Sequence, residues 1–268
     1  VKTQDYATEL TAPEGLTKTG YTFAGWSPEV PETVPAADQT FTAQWTINQY
    51  TITFDTDGGT EIAPITQDYN SEVTAPENPT KEGYDFAGWD KEIPAVIPAE
   101  DLTIKAQWTV VTYTIGYDLA GGTLAEGITN AESYTIESED IVLNAPARTG
   151  YTFAGWTGTD ITEAAPEVTI AKGSTGNRSY TATWTINQYT MTFVLDNGEE
   201  NVVKTQDYAT ELTAPADPTK TGFTFKGWQP EVPATIPAGD MTFTAQWERN
   251  KYKLTFIVDG VETTTEVL

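Results

Sequence analysis

The stretch Gly20-Tyr21-Thr22-Phe23-Ala24-Gly25-Trp26 returns, with small changes, as Gly83 to Trp89, Gly150 to Trp156 and Gly222 to Trp228. Each copy is followed by a segment ending Ala-x-Trp, so all eight tryptophans fall into four pairs: Trp26/Trp45, Trp89/Trp108, Trp156/Trp184 and Trp228/Trp247. Self-similarity at a fixed period is the signature of a tandem array. The aromatic content therefore belongs to the repeat unit, which speaks for a modular scaffold and against a single catalytic centre.

Working outward, a Tyr-x-x-x-Phe segment, with Tyr117 as its last residue in the second case, opens each unit at Tyr50, Tyr113, Tyr189 and Tyr252, giving periods of 63, 76 and 63 residues. Residues 1–13 repeat residues 203–215 without a difference, so the chain enters a unit after its first strand. The reading is of a partial repeat at 1–47, full repeats at 48–110, 111–186 and 187–249, and the opening hairpin of a further repeat at 250–268. A start inside a repeat leads to the expectation of a piece of a longer protein. A unit of about 63 residues lies near the lower limit for independent folding, so each needs its aromatics for core.

Within a unit the apolar period is two, as in Tyr50, Ile52, Phe54 or Phe41, Ala43, Trp45. That period marks half-buried strands. The first strand runs into Asp55-Thr56-Asp57-Gly58-Gly59, with counterparts at Asp118 to Gly122, Asp196-Asn197-Gly198 and Asp259-Gly260, which is hairpin chemistry. Segments such as Ala75-Pro76-Glu77-Asn78-Pro79 are too short and proline-rich for more than one helical turn. Each unit is thus expected to be mainly β (α+β at most), four strands with at most one short helical turn. The linkers, such as Thr46-Ile47-Asn48-Gln49 and Thr185-Ile186-Asn187-Gln188, are too short for independent tumbling. An elongated, semi-rigid rod with about 25–35 Å per unit is expected on compact-domain scaling.

Absences narrow the chemistry. With no cysteine and no histidine, the chain lacks thiol nucleophiles, thiolate metal sites and the commonest general base. The net charge of −25 disfavours binding to nucleic acid or anionic lipid, and no apolar run is long enough to span a bilayer. No catalytic, cofactor or metal site is expected. Asp55, Asp57 and Glu61 form the densest acidic group, but no twelve-residue calcium loop surrounds them. Asp38, Asp101 and Asp240 recur three residues before the apolar Phe41, Ile104 and Phe243 of the fourth strand and are expected to bond nearby backbone groups.

Three features together, the Tyr-x-x-x-Phe strand with its Asp/Gly turn, the block Pro79-Thr80-Lys81-Glu82-Gly83-Tyr84-Asp85-Phe86-Ala87-Gly88-Trp89, and the closing Phe-Thr-Ala-Gln-Trp at Phe41–Trp45 and Phe243–Trp247, resemble the Listeria–Bacteroides repeat family, the B-repeat type of bacterial surface proteins. The resemblance covers essentially the whole chain. It implies a compact β-grasp-like unit, used as a stalk or adhesive module outside the cell, with no family-wide catalytic residues. Departures are Arg148 in place of Lys18, Lys81 and Lys220, and a longer third unit.

Strand alternation would put Tyr21 and Phe23 on one face and Trp26 on the other, and likewise for Trp89, Trp156 and Trp228. These four are the candidates for contact with a ligand or for packing between repeats; core packing is the competing role in so small a unit. The expected function is a non-catalytic stalk or adhesin segment of a bacterial cell-surface protein, with a carbohydrate-binding array acting through exposed tryptophans as the alternative. Expected partners are a host or bacterial surface protein or a glycan, with no nucleic acid and no membrane insertion. The hairpin at 250–268 would also pair with the incomplete unit at 1–47 of another molecule, end to end. In the third unit, the connection Thr157 to Ser179 reads as a flexible, locally basic loop, either a tolerated insertion or a specificity loop.

Overall fold

The computed structural model describes residues 2–266, and every regular element in them is a β-strand. The chain divides into two compact units, 1–112 with repeats 1 and 2, and 113–268 with the remainder. Repeat 1 contributes β1 (Tyr21–Ser27) and β2 (Thr42–Ile47), an antiparallel pair. Repeat 2 contains β3 (Gln49–Asp55), β4 (Ile65–Asp68), β5 (Tyr84–Trp89) and β6 (Leu102–Val110), in the order β4-β3-β6-β5. Its first and last strands lie parallel at the centre, and the outer strands are antiparallel to them. This is the β-grasp arrangement without its helix.

Alternation supplies one apolar face. Ile52 and Ile104 have no exposed surface and Phe54 almost none, while Thr53, Asp55, Thr103, Lys105 and Gln107 on the other face are open to solvent. Two extended pieces of the Pro-rich connections cover the apolar face, hydrogen-bonded to each other from Asn70 N–H to Ile97 C=O, Ile97 N–H to Ser71 C=O and Val73 N–H to Ala95 C=O. They lower Ile97, Val73 and Ile93 onto the sheet. Prolines prevent a helix here, and the paired extended segments satisfy their own backbone groups instead.

In the unit 113–268, repeat 3 holds β7 (Tyr113–Asp118), β8 (Ser133–Tyr134), β9 (Ile141–Val142), β10 (Tyr151–Gly158), β11 (Ile161–Ala165), β12 (Thr169–Ile170) and β13 (Arg178–Ile186). The main sheet runs β11-β10-β13-β7-β8, and β9 pairs separately with β12. Repeat 4 returns to four strands, β14 (Gln188–Val194), β15 (Val202–Asp207), β16 (Phe223–Gln229) and β17 (Met241–Arg249), ordered β15-β14-β17-β16. The hairpin β18 (Lys253–Val258) and β19 (Val261–Glu266) follows.

The span Thr157 to Ser179, expected as a flexible loop, contains the end of β10, the whole of β11 and β12 and the start of β13. β10 continues into it, β11 adds an edge, and β12 carries the buried Ile170 into a core with Leu143, Tyr134 and Tyr180. Its basic end is anchored as well: Arg178 donates to Tyr134 Oη (2.9 Å) and to Asp160 Oδ2 (2.7 Å). The insertion enlarges the core of this repeat. Tyr117, its counterpart of Phe54, donates to Ala131 C=O (2.9 Å) and stacks on Tyr180.

A bulge overturns the expected split of the aromatic strand. On β1, Phe23 lies opposite Trp45, Gly25 opposite Gln44 and Trp26 opposite Ala43, with the register slipping between Phe23 and Gly25. The slip recurs on β5, β10 and β16. One extra residue returns the tryptophan to the face of the phenylalanine. In consequence Phe86 meets both Trp89 and Trp108 at ring separations of 5.2 and 5.6 Å, and Trp89 reaches Phe54 at 5.3 Å. The second glycine of the phrase takes φ of +116° at Gly88 and +130° at Gly155, a region that side chains rarely adopt.

Two outcomes are expected. Gly88→Ala should cost about 1–3 kcal/mol through backbone strain alone, since a methyl there meets nothing within 4 Å. Gly155→Ala should cost more, because its methyl would lie 2.6 Å from the Ala165 backbone. Urea unfolding followed by tryptophan fluorescence checks the order, and equal losses would contradict it. Separately, burial and then the neighbouring Tyr180 push the Tyr117 phenol from 10.0 up to about 12. Folding favours its neutral form, so its contribution to stability is complete below about pH 10 and is lost as pH rises towards about 12. Tyr117→Phe should remove a phenolate step near pH 12 in a spectrophotometric titration. Identical curves for wild type and variant would refute this.

Candidate functional site

The short connections between repeats carry the most specific geometry outside the cores. At the first junction, Asn48 N–H donates to Gly20 C=O (2.9 Å), Thr22 Oγ1 donates to Asn48 Oδ1 (2.7 Å), and Tyr69 N–H donates to Asn48 C=O (2.8 Å). Asn48 Nδ2 also points to Tyr50 Oη, at 3.3 Å. One asparagine thus joins the third strand of one repeat to both opening strands of the next. The Tyr69 ring fills the space over Gly20, where a methyl would lie 2.1 Å from Tyr69 Cδ1, and meets Tyr21 edge-on at 6.1 Å.

The same set recurs independently in the other compact unit. Asn187 N–H donates to Gly150 C=O (3.0 Å), Thr152 Oγ1 to Asn187 Oδ1 (2.7 Å) and Tyr208 N–H to Asn187 C=O (2.9 Å). A methyl at Gly150 would again lie 2.1 Å from the tyrosine, and Tyr151 meets Tyr208 at 6.0 Å. Asn250 keeps the first half of the arrangement, bonding Gly222 C=O and Thr224 Oγ1. Gly20, Asn48, Tyr69 and their counterparts were not singled out by sequence reasoning, although the identical runs Thr46–Tyr50 and Thr185–Tyr189 were the available signal.

A second recurring device clamps the first turn of each complete repeat. Trp108, Trp184 and Trp247 donate their indole N–H to Thr56, Leu119 and Leu195 C=O at 3.1 to 3.2 Å. Lys81, Arg148 and Lys220 donate to the carbonyls of Asp57, Ala120 and Asp196 at 2.9, 3.1 and 2.6 Å. Each cation also lies over the ring of Tyr84, Tyr151 or Phe223, at 4.5, 3.9 and 5.0 Å. Arg148 thereby does the work of the lysines. In repeat 2 the turn is further held by Lys105 on Asp57 (2.8 Å), and that ion-paired hydrogen bond lowers the Asp57 carboxyl pKa.

The candidate tryptophans lie inward. Trp156 has no exposed surface, and its ring is unavailable to a ligand. Trp89 and Trp228 pack against the cores of their repeats, and Trp26 is half-buried against Phe23 at 5.6 Å. The inter-repeat contacts described above use Tyr21, Tyr69, Tyr151 and Tyr208 instead. Asp101 and Asp240 do bond backbone, but not nearby: they accept from Thr51 and Thr190 N–H, at 2.8 and 2.7 Å, on the parallel strand. Asn177 does the same for Thr114 in repeat 3 (2.9 Å). Among the described residues no three acidic side chains converge as metal ligands would.

Known proteins share these units. The Listeria-Bacteroides repeat domain profile matches residues 1–48, 50–107 and 189–246, and the divergent InlB B-repeat domain matches 113–188. A protein of Evansella cellulosilytica, provisionally named a Gly-rich membrane protein, is 31% identical over 96% of this chain and 34% of its own length. A provisionally named membrane protein from the same organism is 29% identical over 80% of this chain and 34% of its own length. Internalin H of Listeria monocytogenes is 37% identical over 40% of this chain and 20% of its own length. The chain thus spans about a third or less of these relatives. The repeated strands, turns and tryptophan pairs are those of one family, and this chain belongs to the Listeria-Bacteroides repeat family.

Proposed function

We propose that this chain is a non-catalytic stalk or adhesin segment of a bacterial cell-surface protein, which holds a distal domain away from the surface. The observation that carries the reading is the identical Gly-Asn-Tyr interlock at two junctions, in two separate compact units. A spacer needs successive units held at a fixed attitude, and a ring seated on a glycine plus three hydrogen bonds opposes rotation at the linker. The occurrence of the repeats in Internalin H and in proteins named for membranes supports an extracellular, surface-attached setting. A repetitive partner, protein or glycan, would gain avidity from the array. The carbohydrate reading through Trp26, Trp89, Trp156 and Trp228 loses support from their inward placement.

The absence of cysteine allows the test to be clean, because spin labels attach only at introduced sites. With labels at Glu163→Cys and Thr242→Cys, both exposed, the distance distribution between repeats 3 and 4 should be narrow. Gly150→Ala should broaden it by displacing Tyr208. Gly222→Ala, equally left-handed at φ +79° but facing open space, should leave it unchanged. A broad distribution in the parent chain, or a narrow one in Gly150→Ala, would sink the interlock and the spacer reading with it.

A further inference from the structure

Repeat 3 leaves uncompensated a charge that repeats 2 and 4 neutralise. At the first turn of those repeats, Lys81 and Lys220 reach the carboxylates of Asp57 and Asp196, at 3.8 and 3.2 Å. In repeat 3, Ala120 stands where Asp57 stands, on the same left-handed backbone, φ +47° against +49°. Arg148 finds only the Ala120 carbonyl there, to which Nη1 donates at 3.1 Å. Among the described residues it pairs with no carboxylate, and its Nε and Nη2 donate to no acceptor.

That guanidinium forms part of the wall of a depression of about 560 Å³, lined also by Trp184, Phe153, Tyr151, Thr123 and Thr149. None of the residues lining it is acidic. The aromatic lining is fixed in place. Trp184 spends its indole N–H on Leu119 C=O (3.2 Å), Phe153 meets the Trp184 ring edge-on at 5.6 Å, and Arg148 lies 3.9 Å over the Tyr151 ring. All three aromatic residues are half-buried and keep some surface open to solvent, and both threonines are exposed.

We propose that this depression binds a carboxylated sugar, an isolated uronic acid residue of a glycan, with its carboxylate on Arg148 and its ring against Trp184 and Phe153. A planar guanidinium holds a carboxylate through two parallel N–H donors, which Nε and Nη2 supply. A sugar ring turns C–H groups to the aromatic lining and hydroxyls to Thr123 and Thr149. A concave site walled by aromatic groups, with a few polar groups to orient the ligand, is the usual make-up of a small-molecule site. The chain's charge of −25 selects among acidic sugars. It repels a dense polyanion, whereas a single carboxylate in a lining without acidic residues feels mainly Arg148, since exposed charges are screened beyond about 8 Å at physiological ionic strength. The site lies within one repeat and stands apart from the spacer role.

Titration of the 268-residue chain with methyl glucuronide, followed by NMR through the indole N–H signals, tests this. The Trp184 signal should shift and saturate with a Kd on the order of 1 mM. Methyl glucoside, which lacks the carboxylate, should bind about tenfold more weakly or worse. Arg148→Lys installs the residue of the neighbouring repeats, keeps the charge and loses the planar fork, and should weaken binding about tenfold. Ala120→Asp lies outside the lining and copies repeat 2 at a matching φ. It should hand Arg148 a carboxylate and abolish binding while the other indole signals stay in place. A Trp184 signal that methyl glucuronide does not move, a shift that acetate or inorganic phosphate reproduces at equal concentration, or binding that Ala120→Asp leaves intact, overturns the proposal.

Discussion

A sheet of four strands with no helix and no disulfide has one means of making a core: put every large side chain on the same face. In each repeat that depends on the extra residue at Ala24-Gly25 and its counterparts, which turns the strand so that phenylalanine and both tryptophans share a side. Without it, the tryptophan of the phrase would stand on the threonine face in water, and its partner across the sheet would pack against nothing. Burying an aromatic ring removes about 150–250 Å² from solvent, a large fraction of what a unit this small can hide. The glycine is there because the bulge needs a positive φ.

From that face the other features follow. Proline-rich connections, which cannot form a helix, lie across the apolar side as paired extended segments and lower Ile97 or Ile236 into the centre. The second tryptophan, at the rim, spends its indole N–H on the first turn. The lysine or arginine beside it reaches the same turn while covering a ring. Charge that the sequence scatters widely is thereby put to local use at the turn.

Between units the economy is similar. Asn48 and Asn187 are placed where one strand ends and the next begins, and each side chain satisfies hydroxyl partners while its backbone joins two sheets. A tyrosine then fills the gap over a glycine. Such nearest-neighbour coupling is how quasi-one-dimensional arrays gain order from repeats that are individually marginal. Repeat 3 departs by enlarging its own core, with Tyr117, Tyr134 and Tyr180 where its neighbours use smaller groups or phenylalanine.

The tandem order, the positions of the recurring strands and the turns were legible from Tyr50-Thr51-Ile52-Thr53-Phe54 and its copies, because alternation and turn chemistry are local properties. The face of Trp26 was not, since a bulge is a property of two strands in register, and counting along one strand put the tryptophans on the wrong side. The partners of Asp101 and Trp108 escaped for a related reason: each bonds a backbone group about 50 residues away, across a parallel ladder that no short window contains. The span Thr157 to Ser179 read as loop because its glycines and polar residues dominate locally, whereas buried Ile170 and Tyr180 decide its course. By itself, then, the sequence determined what is repeated and where the strands common to every repeat lie. Only tertiary structure decided which face each aromatic ring takes and how one repeat grips the next, because both are settled by contacts between residues far apart in the chain.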